Sequence, residues 1–189
     1  MRISANRTTR REQLVVAAAR LFAERGFHGV TIEELGASVG ISGPGFYKHF
    51  TSKDAVLAEM LVGISQYLLD GGRNKVVESS SPENALQRLL QFHTDFALAS
   101  PDLIKVQDRD LANLSAVEAR RVRRLQRAYV ELWTEVLLKK DGTLDPDEAR
   151  TKTHAIFGLL NSTPHSAASR DPGVVGPLLR RMASLALAT

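Results

Sequence analysis

The sequence predicts an all-α protein, and three observations lead to that class. Apolar residues recur at intervals of three and four along almost the whole chain of 189 residues, which is the period of an amphipathic helix. The segments with this period are separated by short groups of helix-starting and helix-ending residues. No alternation of polar and apolar residues competes with them, so we expect no β-strand.

The first two helices precede the most unusual stretch of the chain. Residues 14–25 place their apolar side chains on one face, and Gly26 stops this helix. Residues 31–34, Thr-Ile-Glu-Glu, form a capping box, in which the threonine hydroxyl and the last glutamate each satisfy an unpaired backbone N–H. They predict a short second helix, which Gly40 ends.

The third and fourth helices follow closely. Residues 42–50, SGPGFYKHF, predict a short third helix, although glycine weakens a helix interior. Residues 51–54, Thr-Ser-Lys-Asp, cap a fourth helix, whose apolar side extends to Leu68. We expect Gly71 and Gly72 to end or bend that helix.

Five further helices complete the chain. Their start signals are Ser81-Pro82, Ser100-Pro101, a capping box at residues 115–118, the acidic residues 145–148 and Asp171-Pro172. Within FGLLNSTPHS, we expect Pro164 to kink the eighth helix, because proline removes a backbone hydrogen bond from a helix interior. The alternative is a helix that ends near Ser166.

Composition excludes several classes of protein. The chain has no cysteine, which excludes disulfides, a thiolate metal site and a cysteine nucleophile. No apolar run is long enough to span a membrane, and residues 1–13 lack a signal-peptide core, so we expect a cytoplasmic protein. The five histidines lack metal-ligand spacing, and there is no P-loop or nucleophile elbow. We therefore predict no catalytic residue, no metal and no cofactor, and we do not expect an enzyme.

The charge distribution favours a polyanionic partner for the N-terminal third. The formal net charge of the chain is +4. Residues 1–56 hold eight Lys or Arg and five Asp or Glu, a net charge of +3, so most of the excess lies there.

Residues 31–50 have the order of a helix-turn-helix, with a capped helix, a glycine turn and a second short helix that would enter the DNA major groove by its N-terminal end. Gly43 and Gly45 would let the backbone approach DNA closely, and Pro44 lacks only an N–H that a first helical turn does not use. The alternative is an ordinary helical corner, in a small-molecule binding protein or enzyme whose helix-turn-helix does not touch DNA. A steep salt dependence of binding to a palindromic operator would distinguish the two.

Side chains around this segment are suited to DNA contacts. Donors that could reach phosphates or bases come from Thr31, Ser42, Tyr47, Lys48, His49 and Lys53. Phe46 and Phe50 have the spacing to anchor the third helix on the core.

Residues 10–57 resemble the N-terminal domain of TetR-family transcriptional regulators, over about a quarter of the chain. The positions that match the family pattern are Ala18, Leu21, Phe22, Gly26, Thr31, Gly40, Ser42, Tyr47, His49, Phe50, Ser52 and Lys53. Leu35-Gly36 stands where the family has Ile-Ala, and Phe46 where it has Leu. The methyl missing at Gly36 is expected to loosen the packing of the first two helices.

The resemblance implies a cytoplasmic, homodimeric, nine-helix repressor of a palindromic operator. It implies a three-helix DNA-binding domain at residues 1–56 and a ligand-binding and dimerisation domain at residues 57–189. In the family, residues that match Thr31, Ser42, Tyr47, His49 and Lys53 mostly meet phosphates. Those that match Gly43, Gly45 and Lys48 lie nearest the bases, and Pro44 belongs to the same surface.

The family pattern also implies an effector pocket among helices four to eight. The candidate lining residues are Phe92, His93, Phe96, Gln107, Tyr129, Trp133, Phe157 and Asn161, although each of them could equally belong to the core. A segment loosely similar to residues 160–164 occurs in TetR-type regulators of lipid and acyl-CoA metabolism, which favours an effector of that kind. The last two helices are apolar enough to bury a dimer interface, as they do in the family.

The seventh helix has two opposite faces. Its apolar face runs from Val122 to Val136, and the other face carries Arg120, Arg123, Arg124 and Arg127. The arginines are interpreted either as a solvated basic face or as a rim that binds a phosphorylated effector such as an acyl-CoA.

Overall fold

The computed structural model describes residues 9–167 and 170–188, and these ranges contain ten α-helices, one 3-10 turn and no strand. The helices are α1 (Arg10–Arg25), α2 (Ile32–Ser38), α3 (Gly43–Phe46), α4 (Lys53–Val77), α5 (Pro82–Ala99), α6 (Pro101–Asp110), α7 (Ala116–Lys140), α8 (Pro146–Leu160), α9 (Thr163–Ser166) and α10 (Pro172–Ala186). The all-α prediction is confirmed, and nine of these helices are the nine predicted ones. None of the described helices is long and apolar enough to cross a bilayer.

The first hydrophobic core joins α1, α2 and α3 to the N-terminal parts of α4 and α7. Leu14, Phe22, Leu35 and Phe46 are fully buried in it. Burying a side chain of this size stabilises the fold by about 1.5–3 kcal/mol. The four residues come from three helices, so these helices form one packed unit.

The second core lies among α4, α5, α7, α8 and α10. Its centre contains the fully buried Leu89, Trp133 and Leu160, with Leu179 of α10 against them. Helices α4 and α7 contribute to both cores and pack closely against each other. These two helices therefore connect the N-terminal unit to the rest of the molecule.

The glycine pair in α4 does not end that helix, which continues to Val77, so this part of the prediction was wrong. A Cβ atom at Gly71 would lie 2.2 Å from Cζ of Phe92, and one at Gly72 would lie 2.6 Å from Cε2 of Tyr129. A side chain at either glycine would displace the ring that packs there, Phe92 of α5 or Tyr129 of α7. Their cost in helix propensity is offset by this close packing.

The segment around Pro164 also differs from the expected kinked helix. Helix α8 ends at Leu160, and Pro164 lies in the first turn of the separate four-residue helix α9. A first helical turn does not use the N–H that proline lacks, so the chain avoids the loss of a hydrogen bond by starting a new helix.

The third helix is shorter than predicted, because regular α-helix stops at Phe46 and the backbone tightens afterwards. The Ser42 hydroxyl accepts a hydrogen bond from Gly45 N at 3.3 Å, and the N–H of His49 donates to Phe46 O at 2.9 Å. A Cβ at Gly36 would lie 2.8 Å from Ile41 O, so this glycine lets the α2–α3 turn close on α2. The expected loosening between α1 and α2 stays a prediction, because this contact involves the α2–α3 turn alone.

Candidate DNA interface and effector pocket

The segment of residues 42–49 presents an exposed polar surface on a buried aromatic base. Phe46 and Phe50 are 0% and 2% exposed and pack 6.0 Å apart between ring centroids, which confirms them as anchors. Tyr47 and Lys48 lie between these two phenylalanines in the sequence. Tyr47 is 58% exposed, and Lys48 is exposed as well. Their side chains are therefore free to contact a partner outside the chain.

The two glycines of this segment leave open space at its surface. A Cβ at Gly43 would meet only the Glu33 carboxylate, at 3.7 Å, which is an ordinary contact. A Cβ at Gly45 would meet Ile41 Cβ at 3.3 Å, a slightly tight contact. Folding itself does not require glycine at residue 43. Pro44 beside them is exposed.

The other two candidate DNA contacts lie at neighbouring helix starts and already have partners in the chain. The Thr31 backbone N–H donates to the Glu34 carboxylate at 2.8 Å, and this hydrogen bond, with that from Arg25, lowers the pKa of Glu34. The Lys53 ammonium donates to the carbonyls of Phe27 and Val30, at 2.7 Å each. Lys53 thus brings the start of α4 next to the start of α2.

Two arginines at the start of α1 brace this surface, although the sequence analysis gave them no role. Arg10 donates to the carbonyl of Val39, in the turn between α2 and α3. Arg11 donates to the carbonyl of His49, pairs with Glu59 and lies 4.0 Å from the centroid of the Phe50 ring. The sequence shows that both arginines lie at a helix start. It does not show their carbonyl partners, which lie 29 and 38 residues further along the chain.

A cavity of about 380 Å³ lies among α4, α5, α6, α7 and α8. Six of the eight candidate pocket residues line it, namely His93, Phe96, Gln107, Tyr129, Phe157 and Asn161. Four polar lining residues were not predicted from the sequence, namely Ser65, Asp108, Gln126 and His154. Helix α6 also contributes the apolar residues Leu103 and Ile104, and the 3-10 turn after it contributes Leu111. The volume lies at the lower end of the range typical of small-molecule sites.

Two candidate pocket residues do not line this cavity. Phe92 instead packs against the bare backbone of Gly71 and the ring of Tyr67, on the outer side of α5. Trp133 is fully buried, with its ring centroid 5.1 Å from that of Phe157, and its Nε1 has no acceptor among the described residues. Trp133 therefore packs beneath the lining residue Phe157.

A chain of polar groups crosses one end of the cavity. His93 Nε2 lies 3.0 Å from Asn161 Oδ1, and His93 Nδ1 lies 3.3 Å from the Tyr129 hydroxyl. Burial lowers the pKa of His93 to about 4 and raises the pKa of Tyr129, so both groups are neutral at neutral pH. An amide oxygen only accepts, so we assign the imidazole proton to Nε2, and Tyr129 then donates to Nδ1.

The described lining of the cavity contains one carboxylate, Asp108, and no lysine or arginine. Partial burial raises the pKa of Asp108, and the nearby His165 opposes this shift. The only formal charge in the described wall is therefore negative.

A buried carboxylate connects the end of α6 to the N-terminal unit. Asp110 is 3% exposed and accepts hydrogen bonds from Arg109 Nη2 at 3.0 Å, Asn113 Nδ2 at 3.4 Å and the N–H of Phe27 at 3.5 Å. Arg109 also donates to the carbonyl of Phe22, at the end of α1. We call this set of contacts the α6 junction. It directly follows the cavity residues Gln107 and Asp108, so one helix contacts both sites.

The arginine face of α7 is exposed, as either interpretation requires. Arg120, Arg123, Arg124 and Arg127 make no ion pair within the described ranges. At about 100° per residue, Arg123 lies within about 60° of the cavity residue Gln126 around the helix axis. Arg123 is therefore the arginine closest to the cavity side of α7.

One face of α10 is apolar and uncovered. Its exposed residues are Val174, Leu178, Met182 and Leu185, which are 45% to 65% exposed. They lie within about 80° of one another around the axis, and the adjacent side of α10 packs on the second core. We call them the α10 stripe.

Two family profiles match this chain. Residues 14–60 match "Bacterial regulatory proteins, tetR family", and residues 79–165 match "Tetracyclin repressor-like, C-terminal domain". The first range contains the helix-turn-helix, and the second contains most of the cavity lining. The two profiles together cover well over half of the chain.

Individual relatives agree with these profiles. The HTH-type transcriptional repressor KstR2 of Rhodococcus jostii is 29% identical over 147 residues, which are 76% of this chain and 72% of that repressor. The structure of the ketosteroid regulator KstR2 of Mycobacterium tuberculosis superposes with a TM-score of 0.81 at 21% identity, over 99% of this chain and 97% of the other. AibR, solved with isovaleryl coenzyme A and operator DNA, gives a TM-score of 0.76 at 16% identity, over 92% and 97%.

These structural likenesses, at low identity, show a shared fold. The sequence profiles cover both the DNA-facing segment and the cavity-bearing region, in the order that the structure shows. The chain therefore belongs to the TetR family and is a DNA-binding transcriptional regulator.

Proposed function

We propose that this regulator is a repressor without enzymatic activity that a small hydrophobic effector releases from its operator, in the cytoplasm. The observation that carries this proposal is that α6 contacts both the cavity and the N-terminal unit. Gln107 and Asp108 line the cavity, and Arg109 and Asp110 hold the N-terminal unit. A ligand that shifts α6 would shift the N-terminal unit, which carries residues 42–49, because the α6 junction connects α6 to that unit.

The proposed division of labour places DNA binding in residues 1–56 and effector binding and dimerisation in residues 57–189. The first hydrophobic core lies mostly in the N-terminal range, and the cavity lies entirely in the other. Helix α4 crosses the division, so the two functions share a rigid element.

The proposed effector is a lipid-like molecule, with acyl-CoAs among the candidates. The cavity combines an apolar wall from Phe96, Leu103 and Phe157 with polar residues, Asn161 among them, which suits a hydrophobic body with a polar head. The complex of AibR with isovaleryl coenzyme A supports this class by analogy of fold.

We further propose a homodimer through α8 and α10. The α10 stripe supports this arrangement, because a contiguous apolar face of this kind is costly to leave in water. A twofold dimer would present two copies of residues 42–49 to the two halves of a palindromic operator.

The test of the proposed function begins with an operator selected from a random DNA pool. Affinity for that operator should fall steeply with salt, because each phosphate contact releases counterions. Lipid-like ligands should weaken this affinity more than sugars or metal ions do. Salt-independent binding would contradict the DNA interface, and release by sugars or metal ions alone would contradict the effector class.

Lys48→Ala should weaken operator binding by about 1–3 kcal/mol and relax base preference, because Lys48 is exposed near the end of residues 42–49 and makes no ion pair among the described residues. Tyr47→Ala should weaken binding to all sequences alike, as expected for a phosphate contact. Gel-shift titrations at matched salt measure both effects, with Lys139→Ala on the end of α7 as the control. Affinities within twofold of wild type for both variants would remove these residues from the interface.

Gly43→Ala tests whether the backbone at the start of α3 approaches DNA closely. The chain has room for the methyl group, so the thermal stability of this variant should equal or exceed that of the wild type. Its operator affinity should fall about tenfold, because the new Cβ would occupy space that DNA needs. Gly63→Ala is the matched control, since a Cβ there meets nothing within 4 Å. Unchanged affinity for Gly43→Ala would show that DNA stays further away.

The double variant Arg123→Ala with Arg127→Ala distinguishes the two interpretations of the arginine face. If these arginines bind CoA phosphates, a CoA thioester should become about tenfold less effective at releasing the operator, while a ligand without CoA keeps its effect. The control is Arg121→Ala, because Arg121 lies on the same helix and faces Glu118 instead. An equal response to both ligands would identify a solvated face.

A further inference from the structure

We propose that the cavity selects effectors whose head group is an uncharged hydrogen-bond acceptor, such as a thioester, ester or ketone carbonyl, and that it rejects carboxylates. This inference rests on the proposed effector site and specifies its ligand class. It follows from two independent features of the cavity wall. The first is the direction of its hydrogen bonds, which leaves a free donor, and the second is the sign of its charges.

The hydrogen-bond chain ends in a donor. The Asn161 oxygen accepts from His93 Nε2 at 3.0 Å, and Tyr129 is committed to His93 Nδ1 at 3.3 Å. The Asn161 amide nitrogen then has no acceptor among the residues that the structure describes. Since Asn161 lines the cavity, its two N–H groups are available to a ligand oxygen. A carbonyl oxygen satisfies them, because it only accepts.

The charges of the wall disfavour an anionic head group. No lysine or arginine lines the described cavity, and its one carboxylate, Asp108, is exposed and adds only a weak, screened repulsion of a second carboxylate. His93 cannot provide a compensating charge, because its burial keeps the imidazole neutral. His154 lies on the exposed side of α8, where water screens it. His165, which lies near enough to act on Asp108, is exposed and does not line the cavity. A bound carboxylate would therefore lose its hydration without gaining a cation in the described wall.

This selectivity suits a regulator that must distinguish an activated acyl group from its free acid. An acyl thioester and the acid share the same hydrocarbon chain, so apolar contacts with Phe96 and Phe157 cannot separate them. The head group alone separates them, through the Asn161 donor and the missing cation.

The chain contains a direct probe for ligand binding. Trp133 is its one tryptophan, and its ring centroid lies 6.0 Å from that of His93 and 5.1 Å from that of Phe157. We therefore suggest titrating the full-length protein, without DNA and at neutral pH, while recording tryptophan emission. The matched ligands are decanoic acid, its methyl ester and its S-ethyl thioester. The ester and thioester should bind about tenfold or more tightly than the acid.

Two substitutions test the two features separately. Gln126→Lys places a cation in the wall and should raise the acid-to-ester affinity ratio about tenfold, whereas Gln87→Lys on the outer side of α5 should leave that ratio unchanged. Asn161→Asp keeps the acceptor for His93 but removes both donors, so ester affinity should fall about tenfold.

The outcomes separate this inference from the function on which it rests. An acid that binds wild-type protein as tightly as its ester overturns the selectivity but leaves a lipid effector in place. A failure of Gln126→Lys to change the ratio overturns the argument from charge. If no member of the series alters tryptophan emission, the proposed effector class fails, and the selectivity fails with it.

Discussion

Replacing Leu178 and Met182 by glutamate should convert the protein to a monomer and lower operator affinity about a hundredfold or more. Both side chains belong to the α10 stripe and are about half exposed, so the fold of one subunit tolerates the charge. A dimer interface does not, because four carboxylates would be buried without partners. One subunit contacts only half of the operator phosphates, which leaves weak binding at physiological salt.

Sedimentation and gel-shift titrations measure this result together. The matched control is the pair Val77→Glu and Val117→Glu, two exposed apolar residues that lie outside α10. These controls should remain dimeric and bind the operator normally. A Leu178→Glu/Met182→Glu variant that sediments as a dimer would place the interface on a different surface.

Asp110→Asn should largely abolish the response to the effector. The substitution removes the charge that pairs with Arg109 and places an amide donor among donors at the α6 junction. Wild-type coupling of about 1–3 kcal/mol corresponds to release factors of roughly 5- to 150-fold, and we expect less than about threefold for the variant. We also expect a loss of about 1–3 kcal/mol of stability, because a buried hydrogen-bonded group is disrupted.

The readout is operator affinity with and without saturating ligand, at a temperature well below the melting transition. Asp102→Asn, in the first turn of the same helix, is the control. Asn113→Ala is a milder variant that removes the contacts of Asn113 with Asp110 and with His28 at 2.9 Å, and its release factor should lie in between. If Asp110→Asn still binds ligand and releases DNA as the wild type does, the signal takes another route.

Much of the fold was predictable because helix starts are encoded locally. The Thr31 capping box forms as expected, and Ser81, Asp145 and Asp171 each accept from a backbone N–H at the start of a helix. A capping side chain lies only two or three residues from its partner, so the pair can be recognised in a single sequence. The Gly71-Gly72 pair was misinterpreted because its purpose is contact with α5 and α7, which local sequence does not contain.

The candidate sites were predictable in composition but not in detail. Residues 42–49 are contiguous in sequence, so their common surface follows from one short helix and turn. The cavity combines five helices, and adjacent residues of α5 separate, with His93 facing inward and Phe92 outward. Asp110 was overlooked because its partner Phe27 lies 83 residues earlier in the sequence.

The continuity of α4 through both hydrophobic cores makes the molecule one cooperative unit of folding. Its first half supplies Leu57 and Leu61 to the N-terminal core, and its second half supplies Leu68 and Leu69 to the other. Opening either core would leave half of this helix without the packing that stabilises it. Heat or denaturant should therefore unfold both halves in a single transition. A fragment cut after residue 56 would lack Leu57 and Leu61, so the DNA-binding half depends on the effector-binding half for its own core.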